Sequence, residues 1–286
     1  MEKHTLGTPL RAIVMGSGRP DILAEAQRLS DEIARYVDIV ETDFTGNEDL
    51  SAIVADLAIV FGGDGSILRA ARQMGDRQLP VIAVNLGKLG FLANVSKSEL
   101  PVVLRDYQAG QLNIAEHLMF ECSLIRDGEV RLKQLGLNEV AVLAGTPFSL
   151  ININLYVDSE LATTYSCDGL IISTPVGSTA HSLSAGGPIL RQNLQAFVIS
   201  PISPHTLTNR PVVDSADHVY EFETPSPNPG ASAVADGRLL SQLQPGDRVR
   251  VEQSSARFKL ITGHGHGYYR TLREKLGWGG QIKFNK

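Results

Sequence analysis

Cysteine is nearly absent from this chain: among 286 residues only Cys122 and Cys167 carry a thiol, far apart and in no metal-binding spacing. That excludes a disulfide framework and a cysteine-built zinc site, and it fits a reducing cytoplasm. Long apolar runs are missing as well. No stretch approaches the roughly 18–20 residues of a membrane helix, so no membrane partner is expected. The first ten residues carry two charges and no long apolar core, unlike a secretory signal. Excess positive charge is also lacking, since 26 Lys and Arg against 31 Asp and Glu leave a net charge of −5. Wholesale nucleic-acid binding, which needs a basic face, is therefore not expected. A nucleotide is a different matter, because a few local donors hold a phosphate inside an acidic protein.

What is present is ordinary soluble composition, 43% hydrophobic and 20% charged. The length favours two domains, and it suffices to bury a core without metals or disulfides. The first third alternates strands with helices. Apolar strands are predicted at 11–15, 37–40, 57–61 and 80–84, and helical spacing at 21–37 and 66–74. Ile22, Ala26, Leu29, Ile33 and Val37 form the stripe of the first helix. Continuous apolar strands between helices imply a parallel sheet covered on both faces.

The rhythm changes near residue 115. Strands are expected at 119–125, 139–143, 149–157, 169–173, 197–199, 219–222 and 249–253, with turns at Asp127-Gly128, Asp236-Gly237 and Pro245-Gly246-Asp247. Only 179–186 has room for a helical turn or two, 225–229 reads as a loop, and 271–276 as a short helix. The expected fold class is therefore an α/β N-terminal Rossmann-like domain plus a β-rich, sandwich-like C-terminal domain. The expected boundaries are 1–115, 116–265, and a final segment 266–286.

The chemistry begins where the strand at 57–61 runs into Gly62, Gly63, Asp64 and Gly65 and then a helix. Glycines let backbone approach a ligand closely, and the amides of a helix N-terminus suit an anion. The plain alternative is a tight turn with Asp64 or Ser66 as helix cap. The Gly-Lys-Ser/Thr of a P-loop is absent. A carboxylate among phosphates must then accept a hydroxyl proton or help to hold magnesium. Gly16-Ser17-Gly18 is a weaker nucleotide signal, since it does not complete Gly-x-Gly-x-x-Gly. Two glycines beside Phe91, in the stretch 85–92, let its ring meet a base, although a core Phe is the commoner role. Asn138-Glu139 and Asp168-Gly169 each read equally as turns. The stretch 168–188 runs an apolar strand into many hydroxyls and glycines with almost no charge, a set of small donors suited to ribose and phosphate. His264 and His266 lack carboxylate or cysteine company and read as a turn rather than a metal site. His205 reads as a structural, hydrogen-bonding histidine.

Together these segments closely resemble the NAD kinase family, bacterial type. The resemblance runs from about residue 57 to the end: Gly62 to Gly65, Asn85 to Phe91, Asn138-Glu139, Asp168 to Pro188, Pro201 to Pro211, Asp236-Gly237, and Leu276-Gly277-Trp278. It implies transfer of the γ-phosphoryl group of ATP to the 2′-hydroxyl of the adenosine ribose of NAD, making NADP. It also implies Mg2+ or another divalent cation held mainly by ATP phosphates, no confident side-chain metal ligand, and a homodimer or homotetramer. The final segment would return to the first domain. By the same resemblance Asp64 is the general base, Gly62, Gly63 and Gly65 shape the phosphate cradle, and Arg69 adds a cation. Asn138 and Glu139 would hydrogen-bond ribose hydroxyls, and Asp168 would meet the nicotinamide end or a neighbouring subunit's ligand. Thr179, Ala180, His181, Ser182, Leu183 and Ser184 would line adenine and ribose, with Phe91, Ser166 and Arg238 as further NAD contacts.

Several positions depart from the family's common pattern. His181 stands where Tyr is frequent, Val176 where Thr is, Arg238 where Gln is, and His117 where Arg is usual. Ser166 occupies a position where some NAD-preferring members have Arg, which leaves the choice between NAD and NADH open. A Gly-Gly-Asp-Gly kinase of lipids or sugar phosphates, and a dinucleotide sensor without turnover, are the competing readings. The stretch 168–188 speaks against the first. Asp64, Asn138 and Glu139 together speak against the second.

Overall fold

A computed structural model describes residues 9–87, 90–146, 150–206, 209–263 and 268–277. Lys88, Leu89, His264, His266 and Trp278 lie outside them. The chain divides into two compact units, Met1–Ala115 with Lys259–Lys286, and Glu116–Phe258.

The first unit begins with β1 (Leu10–Gly16), α1 (Pro20–Ile33), β2 (Val37–Asp43), β3 (Leu57–Phe61), α2 (Asp64–Gln73), β4 (Pro80–Asn85), β5 (Val95–Ser96) and α3 (Leu100–Gln108). Its strands pair in parallel in the order β2-β1-β3-β4. Every residue of β3 is buried, and every residue of β1 except Arg11. Burying a side chain such as Ile13, Ile59 or Phe61 stabilises by about 1.5–3 kcal/mol each. α1 opens on Pro20, whose missing N–H is unneeded in a first turn, and buries Ile22, Ala26 and Ile33. Val37 does not continue that stripe: the helix ends at Ile33 and Val37 opens β2. α3 was not visible as a helix in the sequence. It forms because Pro101 falls in its first turn while Leu100, Val103 and Leu104 share one buried face. In this strand order the chain leaves β1 toward β2 on one side, and β3 lies on the other. The carboxyl ends of β1 and β3 therefore flank a topological switch point, the ordinary ligand crevice of such sheets.

The second unit contains β6 (Ile114–Arg126), β7 (Glu129–Gly136), β8 (Glu139–Leu143), β9 (Ile151–Val157), β10 (Glu160–Cys167), β11 (Gly169–Ser173), α4 (His181–Ser184) and β12 (Ala196–Ile202). It continues with β13 (Val212–Ser215), β14 (Tyr220–Glu223), β15 (Ser232–Ala235), β16 (Arg238–Gln242) and β17 (Arg248–Ile261). One antiparallel sheet has the order β13-β12-β11-β8-β15-β16; the other runs β10-β9-β14-β17, with β6 joining β17 and β7. Phe120, Ile153, Phe222 and Val251 from one sheet meet Val140, Ile172 and Phe197 from the other in a single core. That is the β-rich, sandwich-like domain expected. Cys122 and Cys167 lie in this core as free thiols, and burial pushes them up to about 12 and about 11. His117 is buried too, stacked 6.4 Å from Phe258, and burial holds its ring below the usual histidine range. A neutral ring suits this place better than the permanent charge of an arginine.

The last two paired residues of β17, Lys259 and Leu260, run parallel to Pro80 and Val81 in the first unit. α5 (Tyr268–Leu276) follows in that unit and buries Leu272. No helix among the described residues is long and apolar enough to cross a membrane.

Candidate active site

Within the first unit the candidate residues gather at the corner between β3 and α2. Gly62 leaves the buried strand at φ +133, a conformation that side chains rarely adopt, and a Cβ there would lie 2.4 Å from Ser66 Oγ. Gly63 occupies the cap of α2 with no side-chain cap bond, so neither Asp64 nor Ser66 caps the helix. Nothing lies within 4 Å of where a Cβ would stand on Gly63 or Gly65. The positive end of α2 thus meets open space, as a phosphate group requires.

Asp64 turns to a second loop. Its Oδ2 accepts the N–H of Phe91 at 2.9 Å, and its Oδ1 accepts those of Leu92 and Ala93 at 3.0 and 3.2 Å. The approach is so close that a Cβ on Gly90 would sit 2.2 Å from Oδ1. A carboxylate offers about two lone pairs on each oxygen. Among the described residues Oδ1 has both engaged, whereas Oδ2 keeps one. Phe91 is half-buried, with Lys275 of α5 standing 4.9 Å above its ring. Arg69, one turn into α2, lies against Gly46, where a Cβ would come within 2.3 Å of its Cδ. Asp43 fixes that turn by accepting from Thr45 and Gly46.

A second cluster of candidate residues, within the second unit, is built on β8 and the segment after β11. Asp236, at φ +47 in the tight turn between β15 and β16, accepts the N–H groups of Leu137, Asn138 and Glu139 at 2.8, 2.8 and 3.1 Å. Thr174 clamps the same strand entry, its N–H reaching Asn138 O and its hydroxyl Leu137 O. Glu139 is 8% exposed, and its Oε2 is buried without a hydrogen-bond partner. Burial first, and the Asp236 charge second, push its carboxyl up to about 8, against an N–H donated by His181. At neutral pH Glu139 is therefore largely a protonated acid, able to donate as well as accept.

The hydroxyls that looked like a set of ligand donors are mostly engaged inside the fold. Ser173 and Thr174 bond to backbone carbonyls beside β8, Ser178 to Pro175 O, and Thr179 to Val176 O. Ser182, wholly buried, shares a 2.9 Å bond with Ser200, so its side chain points inward and not toward a ligand. His181 and Ser184 are exposed, and Ala180 and Leu183 half-buried. Ser166 and Asp168 are half-buried, the first accepting the His205 N–H through its carbonyl, the second bonded by its backbone to Ile202 and Ala144. The His205 ring itself is exposed. Arg238 is exposed at the start of β16. Sequence reasoning missed what Asp236 and Gly90 do. Asp236-Gly237 was legible only as a turn, and the glycine only as part of a motif.

A corner of strand, glycine, aspartate and helix at a switch point is suited to phosphate, and places the chain among proteins that handle phosphate-bearing ligands. Comparison with known proteins makes the class specific. Residues 31–112 match the ATP-NAD kinase N-terminal domain, and 137–263 the ATP-NAD kinase C-terminal domain. An NAD kinase of Rhodopirellula baltica is 51% identical over 96% of this chain and 89% of its own length. One from Heliobacterium modesticaldum is 37% identical over 94% and 98%. Among solved structures, an Archaeoglobus fulgidus NAD kinase in complex with ATP superposes with TM-score 0.71 at 25% identity, covering 94% of this chain and 98% of that one. Yeast NADH kinase complexed with NADH gives 0.83 at 23% identity over 98% and 91%, a likeness of fold. The chain belongs to the NAD kinase family and is an enzyme that phosphorylates NAD.

Proposed function

We propose that Asp64 is the general base for transfer of the γ-phosphoryl group of ATP to the 2′-hydroxyl of the adenosine ribose of NAD. The observation that carries this is the Asp64 carboxylate itself, fixed by three backbone N–H groups yet keeping a lone pair on Oδ2. Oδ2 takes the hydroxyl proton as the ribose oxygen bonds to the γ-phosphorus and the bond to the bridging oxygen of ADP breaks. An ordinary aspartate is a weak base, so fixed placement supplies much of its effect. The uncrowded glycines Gly63 and Gly65 at the start of α2, with Gly62 shaping the corner and Arg69 adding a cation, hold phosphate.

Asn138 and Glu139 take ribose hydroxyls. Ser166, Asp168, Phe91, Arg238 and the 179–184 segment line the rest of NAD, with Ser182 contributing backbone only. Residues 1–115 serve as the phosphate-loop domain, 116–265 as the NAD-binding domain, and 266–286 as a segment belonging to the first. Magnesium fits this donor set as an ion held mainly by ATP. Among the described residues no three His, Cys, Asp or Glu side chains gather to hold a metal, and magnesium commonly uses phosphates, water and one or two carboxylates. When bound it offsets charge developing on the phosphates. A cytoplasmic setting is supported by the two free buried thiols. A homodimer or homotetramer is supported by the family pattern.

The test is NADP formation from NAD and Mg-ATP by purified protein, with NADH, glucose 6-phosphate and a lipid alcohol as parallel acceptors. Asp64→Asn is expected to lower kcat about 10²- to 10⁴-fold. Undiminished turnover in that variant would remove Asp64 as the base.

A further inference from the structure

The Asp64 oxygen with a lone pair to spare is the one bonded to the Phe91 N–H, so whatever fixes Phe91 also fixes that atom. Phe91 cannot be held by Asp64 alone, because the bond engages its backbone and leaves the ring to find its own seat. That seat is under Lys275, whose Nζ stands 4.9 Å from the ring centroid, within the range of a cation–π contact. Lys275 is carried by the last turn of α5. The helix is seated independently by buried Leu272, and Arg270 braces it internally by pairing with Glu274 one turn on at 2.7 Å. The ammonium is thus presented from a seated helix, not from a free tail.

We propose that Lys275 is a positioning residue for the reaction: through the Phe91 ring it holds the loop at Gly90 to Ala93, and so orients Oδ2 of Asp64. This rests on the reading of Asp64 as base. Helix α5 then bears on catalysis through two linked contacts within the first unit, Lys275 on the Phe91 ring and the Phe91 N–H on Asp64 Oδ2. Loss of the ammonium frees the ring and lets the Phe91 N–H drift from Oδ2, while the bonds to Oδ1 keep the loop in place. The predicted effect is on turnover, and on binding only at NAD, which Phe91 also lines.

The experiment compares Lys275→Gln, Lys275→Arg and Arg273→Gln in the full-length enzyme, with steady-state kinetics, thermal melts and amide hydrogen exchange over residues 90–93. Lys275→Gln is expected to lower kcat about fivefold, leave the KM for ATP and Tm nearly unchanged, and speed exchange at Phe91. Lys275→Arg restores both, since a guanidinium also stacks on an aromatic face. Arg273→Gln removes the other last-turn charge and leaves kcat and exchange unchanged. In a Phe91→Leu background Lys275→Gln costs nothing further. The proposal is overturned if Lys275→Gln keeps full kcat, if its loss adds in full to that of Phe91→Leu, or if exchange at 90–93 does not change. Full activity of Asp64→Asn would instead defeat the base assignment, and the exchange and Phe91 results would still decide whether Lys275 seats the loop.

Discussion

Asp64 and Asp236 lie in different units, yet each carboxylate receives three consecutive backbone N–H groups from a distant segment. Asp64 holds Phe91 to Ala93, and Asp236 holds Leu137 to Glu139; in both, Oδ1 accepts two bonds and Oδ2 one. The surroundings separate them. Asp64 stands in the first turn of α2 beside the open sides of Gly63 and Gly65. Asp236 stands in a hairpin turn, where its charge helps to keep the proton on buried Glu139. Fixing a loop and doing chemistry are thus separable uses of one arrangement. In the roles proposed for them, one aspartate is held so that it can react and the other holds residues that bind.

The comparison can be broken most sharply at Asp64. Asp64→Asn keeps an acceptor for the loop, so the expected result is the large loss of kcat given above with little change in Tm. Asp236→Ala should do the opposite. It strands three N–H groups and costs about 2–4 kcal/mol of stability, read as a lower midpoint in urea, with turnover retained by the folded fraction.

Glu139→Gln sharpens the contrast through pH. The Glu139 carboxyl is raised from 4.5 to about 8 in the folded chain. Between those values the unfolded chain has ionised Glu139 and the folded chain has not. The folded state binds more protons there, so stability is full below the ordinary value, falls as pH rises through the window, and levels off above about 8. Gln removes that fall. Melts from pH 4.5 to 8.5 should show the variant gaining on the order of 4 kcal/mol over wild type at the alkaline end; parallel curves would refute the assignment. The smallest effect is expected from Ser182→Ala, about 1 kcal/mol from its bond to Ser200, with kcat and the KM for NAD within twofold. A large KM change would return Ser182 to the ligand contacts.

The sequence was most legible where burial was continuous. β3, β8 and β11 were predicted to the residue, because a short, almost wholly apolar run between polar or glycine residues leaves little choice of bounds. β10 was not predicted, since Glu160 to Thr164 are all exposed and carry no inward signal. β17 was predicted to stop at Gln253, but it continues to Ile261 through the polar run Gln253 to Ser255. The loop and the aspartate were both visible, yet not the bonds between them: the donors are backbone amides, which look alike under every side chain. The hydroxyl-rich segment misled in the other direction. Ser and Thr readily bond to nearby backbone, and here that local use took most of the donors the sequence had suggested for a ligand.

The buried thiols have a practical consequence. With both cysteines shut in the sandwich core and their thiols pushed far above neutral, neither offers a reactive thiolate to an alkylating reagent while the fold is closed. Alkylation rates at Cys122 and Cys167 would therefore clock the opening of the second unit. A cysteine newly placed on an exposed position of α5 could be labelled alone, with the native pair left in place.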